Sequence, residues 1–446
     1  MKFLRFILLI TFCALLAFSI CSCSESEDQE NKTYPTKTLN VYNWGEYISN
    51  EDDEESGLFD VNAAFEEYFN EKLADKYGYY IKVNYSTYAT NEDMYAKLTN
   101  SAVAYDIVVP SDYMIQKMIE NKLLNEIDTS KLENYSNIDE KFLGLYYDED
   151  NKYSVPYTFG MLGIIYNSEF VDEADVAGEN ASWGLLWNEK YKGKILQFNN
   201  PRDAFATAMY WKNYDINSDD PRVWESTLQL LKEQKPLLQG YVNDEIFNKM
   251  KGASAYIAPY YAGDFLTMAA ANEDLAFFYP NEGTNYFVDA MCIPKTAKNI
   301  DAAHEYINYM ISLEAATANA LYIGYASPNR KVVESKHYQE MLSYNYDTDN
   351  ISAWEILYGK DKDEANKNYS HNPAYLNYYK DENVDIQATV NTLWESLKTE
   401  NSTEPWIHVT SAIIVVGVVS LVSYTTFIKK KRSKFYRQRD KDAKKA

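Results

Sequence analysis

Cysteine and histidine are scarce in this chain of 446 residues, and the scarcity excludes several chemistries. Three of the four cysteines, Cys13, Cys21 and Cys23, lie at the N-terminal end. Only Cys292 remains for the folded part, so a disulfide framework and a cysteine metal site are both excluded there. The four histidines, His304, His337, His371 and His408, are scattered and show no H-x-x-x-H spacing. A zinc site is therefore not expected, and no cofactor of another kind is expected either. Positive charge is also short: 43 Lys and Arg stand against 66 Asp and Glu, a net charge of −23. Ten of the 43 basic residues crowd into the last 18 positions, which carry about +8, and the first 22 add about +2, which leaves roughly −33 on the rest. A surface of that sign repels nucleic acid and phosphate and concentrates cations. Solubility alone would also explain it.

What the chain has in abundance is tyrosine, 41 residues of it. A tyrosine joins an apolar face to a polar tip, which suits wet, ligand-lining surfaces; codon bias would give the same count. The stretch around which the rest is organised is Tyr42-Asn43-Trp44-Gly45-Glu46-Tyr47. It follows an alternating apolar run that reads as a strand. An indole, a carboxylate and a phenol thus arrive at a strand's C-terminal end, where open α/β sheets bind their ligands. A carboxylate beside aromatic faces suits an organic cation, with about 0.5–2 kcal/mol from each cation–π contact. A buried core tryptophan beside a solvated Glu46 is the other reading of the same six residues.

The ends read as membrane signals. Lys2 and Arg5 precede an apolar run from Phe6 to Ile20, within the range of an export signal. Ile20-Cys21-Ser22-Cys23 resembles a bacterial lipobox, which makes Cys23 the expected lipidated N-terminus after removal of residues 1–22. Residues 23–37 are polar and acidic, a flexible tether. Residues 406–428 open with Trp406 and run without charge from Val409 to Ile428, long enough to cross a bilayer. Lys429-Lys430-Lys431-Arg432 follows and places the tail 429–446 in the cytoplasm. The bulk of the chain is then extracytoplasmic, held at the cell membrane.

Between the ends, apolar strand patterns alternate with helical ones, the pattern of an α/β sheet. Expected strands are Leu39 to Trp44, Tyr80 to Ser86, Asp106 to Pro110, a pair within Tyr153 to Tyr166, Gly193 to Phe198, Ala253 to Ala258 and Asn285 to Ile293. Expected helices include one after Phe59, one capped by Thr90 or Asn91, one after Tyr113, Trp183 to Tyr191, Val223 to Glu233, Ala302 to Ile323 and Val384 to Thr399. Tyr338 to Tyr379 shows weak periodicity. Asp289 places a carboxylate inside an apolar strand, where it needs a partner. That partner is either a structural one or a ligand ammonium.

Several stretches, in this order, resemble the spermidine/putrescine-binding proteins of polyamine ABC importers, within the bacterial extracellular solute-binding proteins. They are Y-N-W-G-E-Y at 42–47, Y-S-T-Y-x-x-N-E-x-M-Y-A-K-L at 85–98, Y-D-I-V-V-P-S-D-Y at 105–113 and S-V-P-Y at 154–157. Then come Y-x-G-D at 261–264, Y-P-N-E-G at 279–283, D-A-M-C-I-P at 289–294 and I-G-Y-A-S-P-N at 323–329. The resemblance implies an α/β, two-lobed periplasmic-binding-protein type II fold with the ligand in a cleft between lobes. Lobe one would comprise 38–153 and 290–345, and lobe two 154–289 and 346–400. It further implies that Trp44 and Tyr47 stack on polyamine methylenes and that Glu46 meets an amine. Ser111 and Tyr113 match polar contacts, while Tyr261 and Phe287 fall where the family has Trp. Asp289 matches the carboxylate that meets an amine, and Tyr325 another ring of the aromatic box. The family's D-x-x-E acid pair appears as Asn200 and Asp203, so one acid is missing. The implied partners are spermidine or putrescine, ABC permease subunits and the membrane, with no nucleic acid. The C-terminal span is not typical of the family. No enzyme is expected: a glycosidase using Glu46 and Asp289 as acid and base lacks supporting residues. A receptor for another cationic or polar solute, and a non-transport sensor, are the alternatives.

Overall fold

The computed structural model describes residues 33–53, 55–100, 103–348, 351–358, 374–375 and 384–399. The expected leader 1–22, Cys23, the span 406–428 and the tail 429–446 lie outside the described residues. Among the described residues no helix is long and apolar enough to cross a membrane.

The elements follow in chain order. β1 (Thr36–Trp44) buries Leu39, Val41, Tyr42 and Asn43. α1 (Val61–Tyr68) starts at Asp60, whose carboxylate accepts from Ala63 N at 2.9 Å, a side-chain N-cap. A π turn (Phe69–Leu73) and a last turn (Ala74–Tyr77) extend it. Gly78 ends it with φ 73°, a left-handed conformation that glycine adopts without strain. β2 (Tyr80–Tyr88), α2 (Asn91–Asn100), β3 (Ile107–Val108) and α3 (Asp112–Glu120) complete the first stretch. β4 (Ser154–Asn167) is a single strand of 14 residues rather than the expected pair. Nearly all of it is buried, so no polar turn interrupts it. Trp183 to Tyr191 forms two short 3-10 turns, each capped by its preceding side chain, rather than a helix. β5 (Ile195–Phe198), α4 (Pro201–Trp211), α5 (Pro221–Gln234), β6 (Leu238–Val242), α6 (Glu245–Lys251), β7 (Ile257–Tyr261), α7 (Ala262–Ala269), β8 (Leu275–Phe278) and β9 (Asn285–Cys292) follow.

The helix expected over Ala302 to Ile323 is two: α8 (Ile300–Met310) and α9 (Leu313–Ile323). The break has a cause in the sequence. Ser312 turns its hydroxyl onto Ala315 N at 3.3 Å and caps a new helix. α10 (Arg330–Glu334), α11 (Lys336–Tyr346) and α12 (Ala353–Tyr358) lie where little periodicity is legible. β10 (Ala374–Tyr375) and α13 (Val384–Thr399) end the described chain.

The chain divides into two units: unit one runs to Phe159 and from Val288 to Asn345, and unit two holds Gly160–Phe287 and the residues from Tyr346. In unit one the strand order is β2-β1-β3-β9. β1 pairs in parallel with β2 from Thr36↔Tyr80 to Trp44↔Tyr88 and with β3 at Val41↔Ile107 and Tyr42↔Val108. β3 meets β9 antiparallel at Val108↔Cys292. This register brings the C-terminal ends of β1 and β3 side by side. In unit two the order is β4-β7-β5-β6, with β8 on β4 and β10 on the start of β9. β5 runs parallel to β6 and β7, and β7 antiparallel to β4. Polar residues at the ends of β5 and β7 therefore come together.

α13 is held on unit two at its C-terminal end. The Lys235 ammonium donates to the carbonyls of Leu397 and, at 3.5 Å, Lys398. A cation there answers the unpaired carbonyls of a helix's last turn. Lys398 in turn lies 4.6 Å over the Tyr241 ring and donates to Asn199 Oδ1.

Candidate functional site

In unit one the residues that follow β1 and β3 converge on Asp289. Asp289 stands opposite Ser111 across an antiparallel bridge, and Ala290 N donates to Pro110 O at 3.1 Å. The loop after β1 returns Tyr47 to it, and the Tyr47 hydroxyl donates to Asp289 Oδ2 at 2.6 Å. Thr158 Oγ1 lies 2.6 Å from the same hydroxyl. A carboxylate only accepts, so the tyrosine proton points to Asp289 and the threonine proton to tyrosine. The Tyr157 hydroxyl donates to Tyr47 O at 2.8 Å, and the Tyr325 ring meets the Tyr47 ring edge-on at 5.2 Å. Tyr47, Asp289 and Tyr325 are all buried. Asp289 therefore has a structural partner, one of the two readings its sequence position leaves open.

Trp44 is half-buried, and its indole N–H donates to Val109 O at 2.9 Å. That bond ties the end of β1 to the end of β3. The indole ring lies 4.6 Å from Tyr88, tilted. Glu46 is exposed and has φ 50°. For a residue other than glycine such backbone costs about 1–3 kcal/mol and is concentrated at functional loops. Its carboxylate accepts from the Tyr322 hydroxyl at 3.3 Å and takes no part in the Tyr47–Asp289 chain. Ser111 and Tyr113 are joined through Asn91, whose Nδ2 lies 3.1 Å from both hydroxyl oxygens. The Tyr113 hydroxyl donates to Glu92 at 3.1 Å.

The structure adds Asp112, between the two residues of that motif which the sequence singles out. It is almost fully buried at the start of α3. Its carboxylate accepts from Tyr113 N at 2.6 Å and Val288 N at 3.2 Å. Burial, and after it the nearby Asp289 charge, push its pKa up to about 8, against the pull of the Tyr113 and Val288 amides. Thr158 likewise carries a contact that no motif in the sequence announces, and Asn91, which the 85–98 motif contains, carries contacts whose role is not legible in the sequence.

In unit two Asn200 caps α4, with Oδ1 accepting from Asp203 N at 2.8 Å and Pro201 at the first helical position. The cap places Asp203 in the first turn, buried. Its Oδ2 accepts from the Tyr261 hydroxyl at 2.6 Å and Asn200 Nδ2 at 3.0 Å, and its Oδ1 from Asn285 Nδ2 at 3.4 Å. Burial still raises its pKa above the usual carboxylate value. Tyr261 and Phe287 meet edge-on at 5.5 Å. Phe287 presses against Gly160, where an added Cβ would lie 2.8 Å from its Cζ. Of the ten expected ligand contacts, Trp44, Glu46, Tyr47, Ser111, Tyr113, Asp289 and Tyr325 thus belong to unit one, and Asp203, Tyr261 and Phe287 to unit two. Among the described residues no group of acids, histidines or cysteines could hold a metal ion.

The model of the bacterial extracellular solute-binding protein family matches residues 63–342. This chain belongs to that family. The solute-binding protein is 34% identical over 293 residues to the spermidine/putrescine-binding periplasmic protein of Escherichia coli, covering 66% of this chain and 78% of that one. A solved structure described as a spermidine/putrescine ABC transporter from Listeria monocytogenes superposes with a TM-score of 0.67 at 33% identity, covering 82% of this chain and 99% of that one. The spermidine/putrescine ABC transporter substrate-binding protein PotD of Streptococcus pneumoniae gives 0.59 at 33% identity, with 81% and 98% covered. The fold of the solute-binding protein is accordingly the α/β, two-lobed one that the sequence resemblance implies.

Proposed function

We propose that this chain is an extracytoplasmic receptor for a polyamine, spermidine or putrescine, and delivers it to an ABC permease. The observation that carries this reading is the Asp289 carboxylate, buried in unit one and held by the Tyr47 hydroxyl beside the Tyr325 ring. A buried carboxylate costs desolvation unless a charge answers it. Tyr47 supplies a neutral hydrogen bond, and a carboxylate beside aromatic rings is the pairing that suits a ligand ammonium. Rings of Trp44, Tyr47 and Tyr325 in unit one and Tyr261 and Phe287 in unit two pack on methylenes, and Glu46, Ser111, Tyr113 and Asp203 serve as polar contacts. The relatives named above support the ligand class. The protein acts by binding and not by catalysis. Cys23 carries a lipid, residues 406–428 span the cell membrane, and the tail 429–446 is cytoplasmic.

Calorimetric titration of the full chain in detergent with putrescine, then spermidine, at low and physiological salt tests the reading. Micromolar or tighter binding of either is the expected result. Absence of heat with both would discard the polyamine assignment and leave the fold family standing.

A further inference from the structure

We infer that Asn285 is a ligand-contacting, specificity-determining residue, whose side-chain oxygen together with Asp203 seats a primary ammonium on unit two. The inference rests on the polyamine reading above and extends it to a residue that no motif marks.

Asn285 opens β9 and is 2% exposed. Its amide is oriented by chemistry. Nδ2 faces Asp203 Oδ1 at 3.4 Å, and the opposite orientation would set two oxygens against each other. The amide oxygen must therefore point away from the carboxylate. Among the described residues that buried oxygen has no hydrogen-bond partner. A buried acceptor left unmade is costly and rare, and it asks for a donor.

The neighbourhood says which donor. Asp203 Oδ2 already accepts from Tyr261 and Asn200, while among the described residues Oδ1 receives only the long bond from Asn285. Two buried acceptors with open lone pairs, Asp203 Oδ1 and Asn285 Oδ1, are thus carried by two side chains in direct hydrogen-bond contact. A primary ammonium carries three N–H donors and no acceptor. The charge alone makes a modest seat, because the Arg202 guanidinium beside Asp203 opposes it. Discrimination then comes from N–H donation. A permethylated amine brings the same charge without a donor and is the disfavoured ligand.

The test is calorimetric titration of the full chain and of Asn285→Leu and Asn285→Asp, each with putrescine and with putrescine permethylated at both ends. Asn285→Asp keeps an acceptor oxygen and loses the N–H to Asp203; Asn285→Leu loses both. The expected result is a ten- to hundredfold loss of putrescine affinity in Asn285→Leu, the range of a hydrogen bond to a charged group. Asn285→Asp should stay within a few-fold of wild type. The preference for putrescine over its permethylated form should shrink in Asn285→Leu. Asn285→Ala replaces Asn285→Leu should the latter fail to fold. Equal losses in Asp and Leu variants would mean that Asn285 only supports Asp203, and would overturn the inference. Wild-type affinity in Asn285→Leu would overturn it as well. Failure of the wild type to bind putrescine or spermidine would overturn the polyamine reading, and the inference with it, before any variant is compared.

Discussion

The Tyr47 hydroxyl donates its proton to Asp289 Oδ2 across 2.6 Å, and 242 positions of sequence separate the two. The bond fixes the carboxylate's orientation and leaves its charge in place. Tyr47→Phe removes the donor and keeps the ring. Putrescine affinity should fall roughly tenfold, the worth of a hydrogen bond to a charged group, with the far-ultraviolet spectrum unchanged. Unaltered affinity by calorimetry would show that Asp289 needs no such positioning.

Asp289→Asn keeps the shape and removes the charge. The expected loss is about thirtyfold or more, because truncating a buried charge pair costs about 2–5 kcal/mol. Trp44→Ala should also weaken binding severely while the domain stays folded. Wild-type affinity in either folded variant would remove that residue from the site.

Asp112 predicts a pH signature of stability. With a folded pKa of about 8 and an ordinary unfolded one, the two states bind equal protons below pH ~4. Between pH ~4 and ~8 the unfolded chain releases its proton and the folded one keeps it. Stability therefore falls as pH rises, by up to about 1.4 kcal/mol per unit, and the fall stops above pH ~8. Asp112→Asn abolishes that slope. Melting curves from pH 5 to 9 should show the wild type's advantage over the variant shrinking with pH. Parallel curves would mean that Asp112 is ionised throughout.

Asn200→Asp restores the second acid beside Asp203, and aspartate remains a good N-cap for α4. The added charge favours the ligand with more amines. The ratio of spermidine to putrescine affinity should rise, and a falling or constant ratio would remove position 200 from specificity.

Gly160→Ala tests the aromatic face of unit two. The new Cβ would meet Phe287 Cζ at 2.8 Å, so the ring must move off the backbone. A loss of roughly two- to thirtyfold in affinity is expected, the range of one displaced cation–π ring. An unchanged titration would show that Phe287 does not touch the ligand.

How far these residues could be read from the sequence depended on how local their signals are. The alternation from Leu39 to Tyr42 and the buried run ending at Pro110 are local, and β1 and β3 lie there. Their adjacency, which ties Trp44 to Val109, follows from the alternating pattern of an α/β sheet. α8 and α9 were harder: Ala302 to Ile323 keeps an apolar face throughout, and a single serine cap outweighs it. α11 and α12 sit in Tyr- and Asn-rich sequence with little contrast between faces, so periodicity had nothing to report. In the site, Trp44 and Tyr47 announce themselves as aromatics at a strand end, and Asp289 as an acid inside an apolar strand. Thr158 and Asn285 do not, since their roles arise from bonds to residues 111 and 82 positions away.

The clamp of Lys235 on the last turn of α13 fixes where a pull from the proposed C-terminal anchor would be felt. Six residues, 400–405, separate Thr399 from the proposed span, and fully extended they reach about 20 Å at most. Twelve residues, 24–35, separate Cys23 from β1, with a reach of about 40 Å. In the proposed topology the two tethers are therefore leashes of unequal length, the shorter leading from unit two and the longer from unit one.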